Sequence, residues 1–262
     1  SETSLFDGID TTLARLDAGL SAEGRQFLRI ARAHADSAHA LLDFEHPDRM
    51  VPQLAAVATA VIAVQSRLPG CRQPIAYRAP RTTSCTAAEF SAEAAVEQMQ
   101  ERTVEALLAA GGVAVEATAE RELLAFGDSM STTTTLYNRG RETVWISAVR
   151  INGRAVLLDT TVRVPPDSAW RFTRNLVGLV DTRPWWLGGR KGDLFAERQS
   201  PADGLGRVSA VSNGLVRGVA LREDQRRESD VSLDVSFGGV TVSSPREPFV
   251  YRFADPVLGE QN

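Results

Sequence analysis

The chain has 262 residues, 43% of them hydrophobic and 24% charged, with a formal net charge of −4. That length suffices to bury a core in one large domain or two small ones, and the lack of a broad basic field argues against a nucleic-acid binder. No apolar run reaches the roughly 18–20 residues of a membrane-crossing helix, so no membrane span is expected.

The N-terminus is polar and carries no signal-peptide pattern. A start at Ser1 without an initiator methionine reads as a mature or excised form. The basic residues are almost all arginine, with Lys191 the only lysine, a bias that reads as genome composition.

Residues 1–110 read as helical. Asp10 or Thr11 can cap a first short helix that puts Leu13, Leu16 and Leu20 on one stripe. Ser21 offers a second cap, and Phe27, Ile30, Ala31, His34, Ala38 and Leu41 follow at helical spacing. Pro47 is expected to end that helix, and Pro52 suits the start of the next. Leu54, Val57, Val61, Val64 and Leu68 mark the third helix, which Pro69-Gly70 stops.

Residues 69–85 form a Pro-containing loop flanked by Cys71 and Cys85, the only cysteines. Their spacing admits a disulfide in an oxidising compartment or two free thiols. Thr86 is the expected cap of a further helix bearing Phe90, Val96, Met99, Thr103 and Leu107, which Gly111-Gly112 ends. About four helices with short connections predict an antiparallel bundle.

From Val113 the period changes to two. Val231, Leu233, Val235 and Phe237 alternate with Ser232, Asp234 and Ser236, and Gly238-Gly239 permits a tight turn into Val240 and Val242. Trp170, Phe172 and Leu176 alternate likewise, as do Phe249, Tyr251 and Phe253. Roughly eight such segments predict an antiparallel β-sandwich of immunoglobulin-like type. The fold class is thus α+β, a helical bundle at 1–110 followed by a sandwich at 111–262.

Several motifs tempt a catalytic reading. His46-Pro47-Asp48 carries the letters that open a zinc-binding H-P-D-D-E motif, but Arg49 and Met50 replace its acidic pair. A catalytic zinc needs about three protein ligands and a carboxylate base, and His34 and His39 lie five apart on a helix. His34 falls on the apolar stripe and reads as a satisfied core histidine. FGDSMS (Phe126 to Ser131) resembles a GDS-type esterase block, yet no histidine follows His46 to act as its base, so Gly127-Asp128 reads as a turn before a strand. Gly188-Gly189-Arg190-Lys191-Gly192 lacks the spacing of a phosphate loop. The mixed-sign run Arg222 to Glu228 reads as a solvated loop. No catalytic residue, metal ligand or cofactor is therefore assigned.

Trp185 and Trp186 are adjacent, so on an extended segment they point to opposite sides. One can anchor the core while the other, with Arg190 and Asp193 nearby, stacks on a sugar ring. Alternatively both pack at the end of the sandwich or under a loop.

LFDGIDTTLARL (Leu5 to Leu16), MQERTVEALLAAGGVAVEATAE (Met99 to Glu120), GDSMSTTTTLYNRG (Gly127 to Gly140), PWWLGGRKGDLF (Pro184 to Phe195) and YRFADPVLGE (Tyr251 to Glu260) follow one another along nearly the whole chain. In that order they resemble the non-catalytic region that follows the deacetylase domain in large bacterial PIG-L (LmbE-like) proteins. Gly188-Gly189 departs from the polar or proline-containing residues expected there. The resemblance implies a parent enzyme that removes an acetyl group from an N-acetylglucosamine-type substrate with zinc, in a secreted or periplasmic setting. The catalytic residues would lie outside this chain. The expected partner is the deacetylase domain of the same parent chain, which this region would dock or position. A glycan bound at Trp185, Trp186, Arg190 and Asp193 is the alternative, and a second copy of the chain a further partner.

Overall fold

A computed structural model describes residues 13–71, 85–124, 127–156, 161–178, 229–255 and 259–261. The expected caps Asp10 and Thr11, the Trp185-Trp186 segment and the charged run at 222–228 lie outside the described residues. The architecture is α+β, with helices first and strands after them.

A 3-10 segment, Leu13–Gly19, leads into helix α1 (Ala22–Ala40), whose cap Ser21 accepts a hydrogen bond from Gly24 N at 3.1 Å. The buried stripe of α1 is Gly24, Leu28, Ala31 and Ala38, while Ile30 and Leu41 are exposed. Of the expected stripe, Ala31 and Ala38 are buried and Phe27 and His34 are half-buried, and the correction is confined to Ile30 and Leu41. Small residues let α1 approach its neighbour closely, so side-chain size misjudged the buried face. Helix α1 also stops before Pro47, which instead opens a 3-10 turn, Pro47–Met50, that runs straight into helix α2 (Val51–Gln65). Helix α3 spans Ala87–Ala110. Among the described residues no helix is long and apolar enough to cross a membrane.

A capping box starts α3. Thr86 Oγ1 accepts from Glu89 N at 3.2 Å, and the Glu89 carboxylate accepts from Thr86 N at 2.7 Å. This reciprocal pairing satisfies two otherwise orphan donors. The hydrogen bond from Thr86 N, followed by that from its hydroxyl, lowers the Glu89 pKa below its ordinary value. A lowered folded-state pKa means the carboxylate's stabilisation is present above the unfolded-state pKa and is lost as pH falls through the folded one. Glu89→Gln should therefore lower the melting temperature at neutral pH, and the gap from wild type should narrow as the pH falls through the acid range. A gap that is constant with pH would remove the carboxylate from the cap.

The strands are β1 (Val113–Ala119), β2 (Ser129–Asn138), β3 (Val144–Ile151), β4 (Arg154–Val156), β5 (Val162–Val164), β6 (Ser168–Val177), β7 (Asp230–Phe237), β8 (Val240–Ser243), β9 (Glu247–Pro248), β10 (Val250–Tyr251), β11 (Phe253–Asp255) and β12 (Gly259–Gln261). One sheet has the order β10-β1-β2-β6. A second has β4-β3-β7-β8, with β5 also on β3 and β9 also on β7. Strands β11 and β12 form a separate pair. Among the described residues all pairings are antiparallel except β1 with β10, which is parallel.

The turn between β7 and β8 is Gly238-Gly239, with φ of 59° and 82°. Phe237 pairs with Val240 across it, the two-residue loop with positive φ at both positions that suits the twist of a hairpin. The stretch expected as one strand through Phe249, Tyr251 and Phe253 is instead cut into β9, β10 and β11, each in a different sheet. Phe249 N still donates to Ser229 O beside β7 at 2.9 Å, and the chain crosses to β1 only at Val250.

Two apolar clusters hold these elements. The first joins Leu16, Leu20, Leu28, Val57, Val61, Val64 and Val96 among the helices. The second joins Val51, Ala55, Val104, Leu107 and Leu108 to Leu136, Ile146, Val149, Leu233, Val235 and Phe237 of the two sheets. Helices α2 and α3 thus contribute to both, and the residue 110/111 boundary falls inside a shared core.

Candidate functional site

The site residues expected from sequence divide sharply. Trp185, Trp186, Arg190 and Asp193 all lie outside the described residues. Cys71 and Cys85 are joined as a disulfide, with their Cα atoms 5.8 Å apart. The bond ties the chain leaving α2 to the residue before the Thr86 cap.

The three histidines occupy separate settings. His34 is half-buried, its Nδ1 2.8 Å from Gln53 Oε1 on the facing helix. His39 is exposed. His46 Nδ1 lies 3.1 Å from Asp43 Oδ2. Among the described residues no group of three or more His, Cys, Asp or Glu side chains could hold a metal ion. Asp48 is paired with Arg141 at 3.2 Å, tying the 3-10 turn to the β2–β3 connection. Asp128 is paired with Arg121 at 3.0 Å and accepts from Ser129 N.

Among the described residues, outward-facing groups on the β3–β7–β8 sheet form a polar surface with an exposed indole. Val144 and Ile146 are buried, so Trp145 between them points outward and remains 43% exposed. The register sets Trp145 beside Arg163 of β5 on one side and Ser236 of β7 on the other, with Thr241 of β8 beyond. Ser236 Oγ and Thr241 Oγ1 are hydrogen-bonded at 2.7 Å. Glu142 accepts from Gly238 N at 3.0 Å, which fixes its carboxylate at the rim of an open depression of about 520 Å³ that Trp145 and Thr241 also line. Two residues along β7, Asp234 accepts from both Arg150 Nη1 (2.7 Å to each carboxylate oxygen) and Ser243 Oγ (2.6 Å). An indole, paired hydroxyls and braced charges thus share one sheet face.

The outer face of the other sheet carries a smaller polar cluster. Tyr137 donates to Glu116 Oε2 at 2.9 Å, and Arg252 pairs with the same carboxylate. The hydrogen bond to Glu116, then burial, raises the Tyr137 pKa above its ordinary value. At neutral pH Tyr137 is the neutral donor, which braces β2 to β1 and offers no nucleophile.

Apolar exposure concentrates at the end of α1. Leu41 and Leu42 are exposed, and Phe44 is 90% exposed. The turn that presents them is fastened by Asp43, whose carboxylate accepts from Glu45 N at 2.9 Å and from Arg49 Nη1 at 3.2 Å. The backbone hydrogen bond from Glu45 is the largest cause of a lowered Asp43 pKa, with desolvation opposing it and His46 reinforcing it.

No family model matches the chain. No curated protein matches it. Among solved structures, a Northeast Structural Genomics Consortium target, SoR45, is similar at a TM-score of 0.28 and 16% identity, over 57% of this chain and 92% of that one. Pseudomonas fluorescens alkylpurine DNA glycosylase AlkC, bound to DNA containing an abasic site analog, gives a TM-score of 0.21 and 10% identity, over 76% of this chain and 46% of that one. Overlaps this slight carry neither a fold nor a function.

Proposed function

We propose that the chain is a non-catalytic interaction region, a helical bundle with an immunoglobulin-like sandwich, that docks and positions the deacetylase domain of a PIG-L-type parent protein in a secreted or periplasmic setting. The observation that carries the docking is the Leu41-Leu42-Phe44 turn. A phenyl ring 90% exposed on a turn braced by Asp43 is the kind of exposed apolar feature that marks an interaction site. Anchoring aromatics of this sort dominate binding energy when they enter a partner's pocket. The five ordered motifs supply the identity of that partner.

Phe44→Ser should leave the fold intact, since surface changes usually move stability by no more than about 0.5 kcal/mol. It should weaken binding to the parent's deacetylase domain, measured by calorimetry, by about tenfold or more, equivalent to about 1.4 kcal/mol. Equal affinity for wild type and variant would take the turn out of the interface. The reading frame encoding the chain should also contain an upstream H-P-D-D-E segment, and its absence would remove the deacetylase context.

A second reading, recruitment to a glycan, is favoured by a separate observation, the exposed indole of Trp145 among hydroxyl and charged side chains. The adjacent pair Trp185 and Trp186, which lies outside the described residues, is the other candidate location for it.

A further inference from the structure

We propose that the outer face of the β3–β7–β8 sheet around Trp145 is a saccharide-binding surface that takes a flat, all-equatorial hexopyranose of a β-linked oligosaccharide. The proposal rests on the glycan reading and moves its centre to a tryptophan that the motif resemblance leaves aside.

A tryptophan side chain presents a broad apolar plane, and covering such a surface with an apolar partner is favourable. Trp145 leaves 43% of its surface exposed although its strand neighbours Val144 and Ile146 are fully packed. A pyranose with equatorial hydroxyls has an apolar C–H face that matches such a plane, and its rim of hydroxyls needs donors and acceptors at the plane's edge. The register places them there, with Arg163 on one side and the Ser236–Thr241 pair on the other. Each hydroxyl in that 2.7 Å pair retains hydrogen-bonding capacity, because a hydroxyl has one donor and two acceptor sites.

Glu142 adds an acceptor whose position is set by the hairpin amide of Gly238. The depression of about 520 Å³ beside the ring falls within the size range of small-molecule sites. The charges here alternate in sign (Arg163 and Glu142), so the face complements a neutral ligand and gives a polyanion no net attraction.

The test is calorimetric titration of the intact chain with β-1,4-linked hexamers of glucose and of N-acetylglucosamine. The wild type should bind at least one. Trp145→Ala should weaken that binding by about tenfold or more, with its circular dichroism unchanged. Trp145→Phe, which keeps an aromatic plane, should retain most of it. Thr241→Ala, which leaves the ring in place, should cost about threefold, the scale of one hydrogen bond. Trp185→Ala and Trp186→Ala should bind as wild type does. Binding that survives Trp145→Ala and disappears in Trp186→Ala would overturn this site while leaving the glycan reading standing. Failure of the wild type to bind either hexamer would overturn both, and capture of a protein on this face through Trp145 would replace the sugar as its ligand.

Discussion

Leu107→Ala should destabilise the protein by about 3 kcal/mol, within the range of about 2–5 kcal/mol for a buried leucine truncated to alanine. Helices and strands should still unfold together. Leu107 is 0% exposed and lies on α3, yet it belongs to the cluster that contains Leu136, Val149, Leu233 and Val235 of the two sheets. Removing its side chain loses transfer free energy and leaves a cavity between layers. The surroundings can relax little, because the same junction is tight elsewhere. A Cβ on Gly111 would strike the Phe237 ring, and one on Gly238 would sit 2.8 Å from Val51 Cγ1.

The measurement is urea denaturation followed by helical circular dichroism and by tryptophan emission, since the described tryptophans, Trp145 and Trp170, sit on strands. Both signals should shift to lower denaturant by the same amount. Ile30→Ala, on the exposed side of α1, is the control and should change stability by no more than about 0.5 kcal/mol. If the helical signal is lost first while tryptophan emission holds, helices and sheets are separate folding units. A loss below about 1 kcal/mol would place Leu107 outside the shared core.

The features that were legible in the sequence are those fixed by local chemistry. Ser21 and Thr86 cap helices because a hydroxyl before an apolar-periodic run can reach only the first free amides, and both do so. The Gly238-Gly239 hairpin is equally local, as is the alternation of β7 on which it turns. What could not be read depended on partners distant in sequence. On α1, Ala31 and Ala38 fall on the buried face as their spacing implies, but Leu28 is buried while Ile30 and Leu41 are not, a choice set by contact with α2. The split of the last strands among three sheets depends on the free edge of β1 and on the Asp230-Val231 end of β7 that β8 leaves unpaired, which no local pattern reports. Trp145 had a usable signal, an aromatic between two inward-facing β-branched residues. A lone tryptophan inside the run Val144 to Val149 nevertheless reads as core until its register is known. Phe44 had no comparable signal, because exposure in a turn leaves no periodicity.

Replacing both cysteines by serine should lower stability by about 3 kcal/mol, the loop-closure value for a cross-link that closes about 15 residues. Cys71 and Cys85 are separated by 14 positions. Cys71 lies just past α2, and Cys85 lies just before the cap of α3. The bond therefore holds together the ends of two helices that already pack through Val57, Val61, Val64, Ala92 and Val96. Because that packing exists without the cross-link, its loss should act mainly on the unfolded chain, which gains freedom when the bond is absent. Native circular dichroism should then be the same in wild type and variant, while the denaturation midpoint moves. Reducing agent should move the wild-type midpoint to that of the Cys71→Ser/Cys85→Ser variant and leave the variant where it is. Coincident midpoints for oxidised wild type and variant would show that the tether adds nothing to stability. A variant whose native spectrum is already altered would show instead that the bond builds the α2–α3 contact. Where thiols are kept reduced the same loss would apply, so stability by this route belongs to an oxidising compartment.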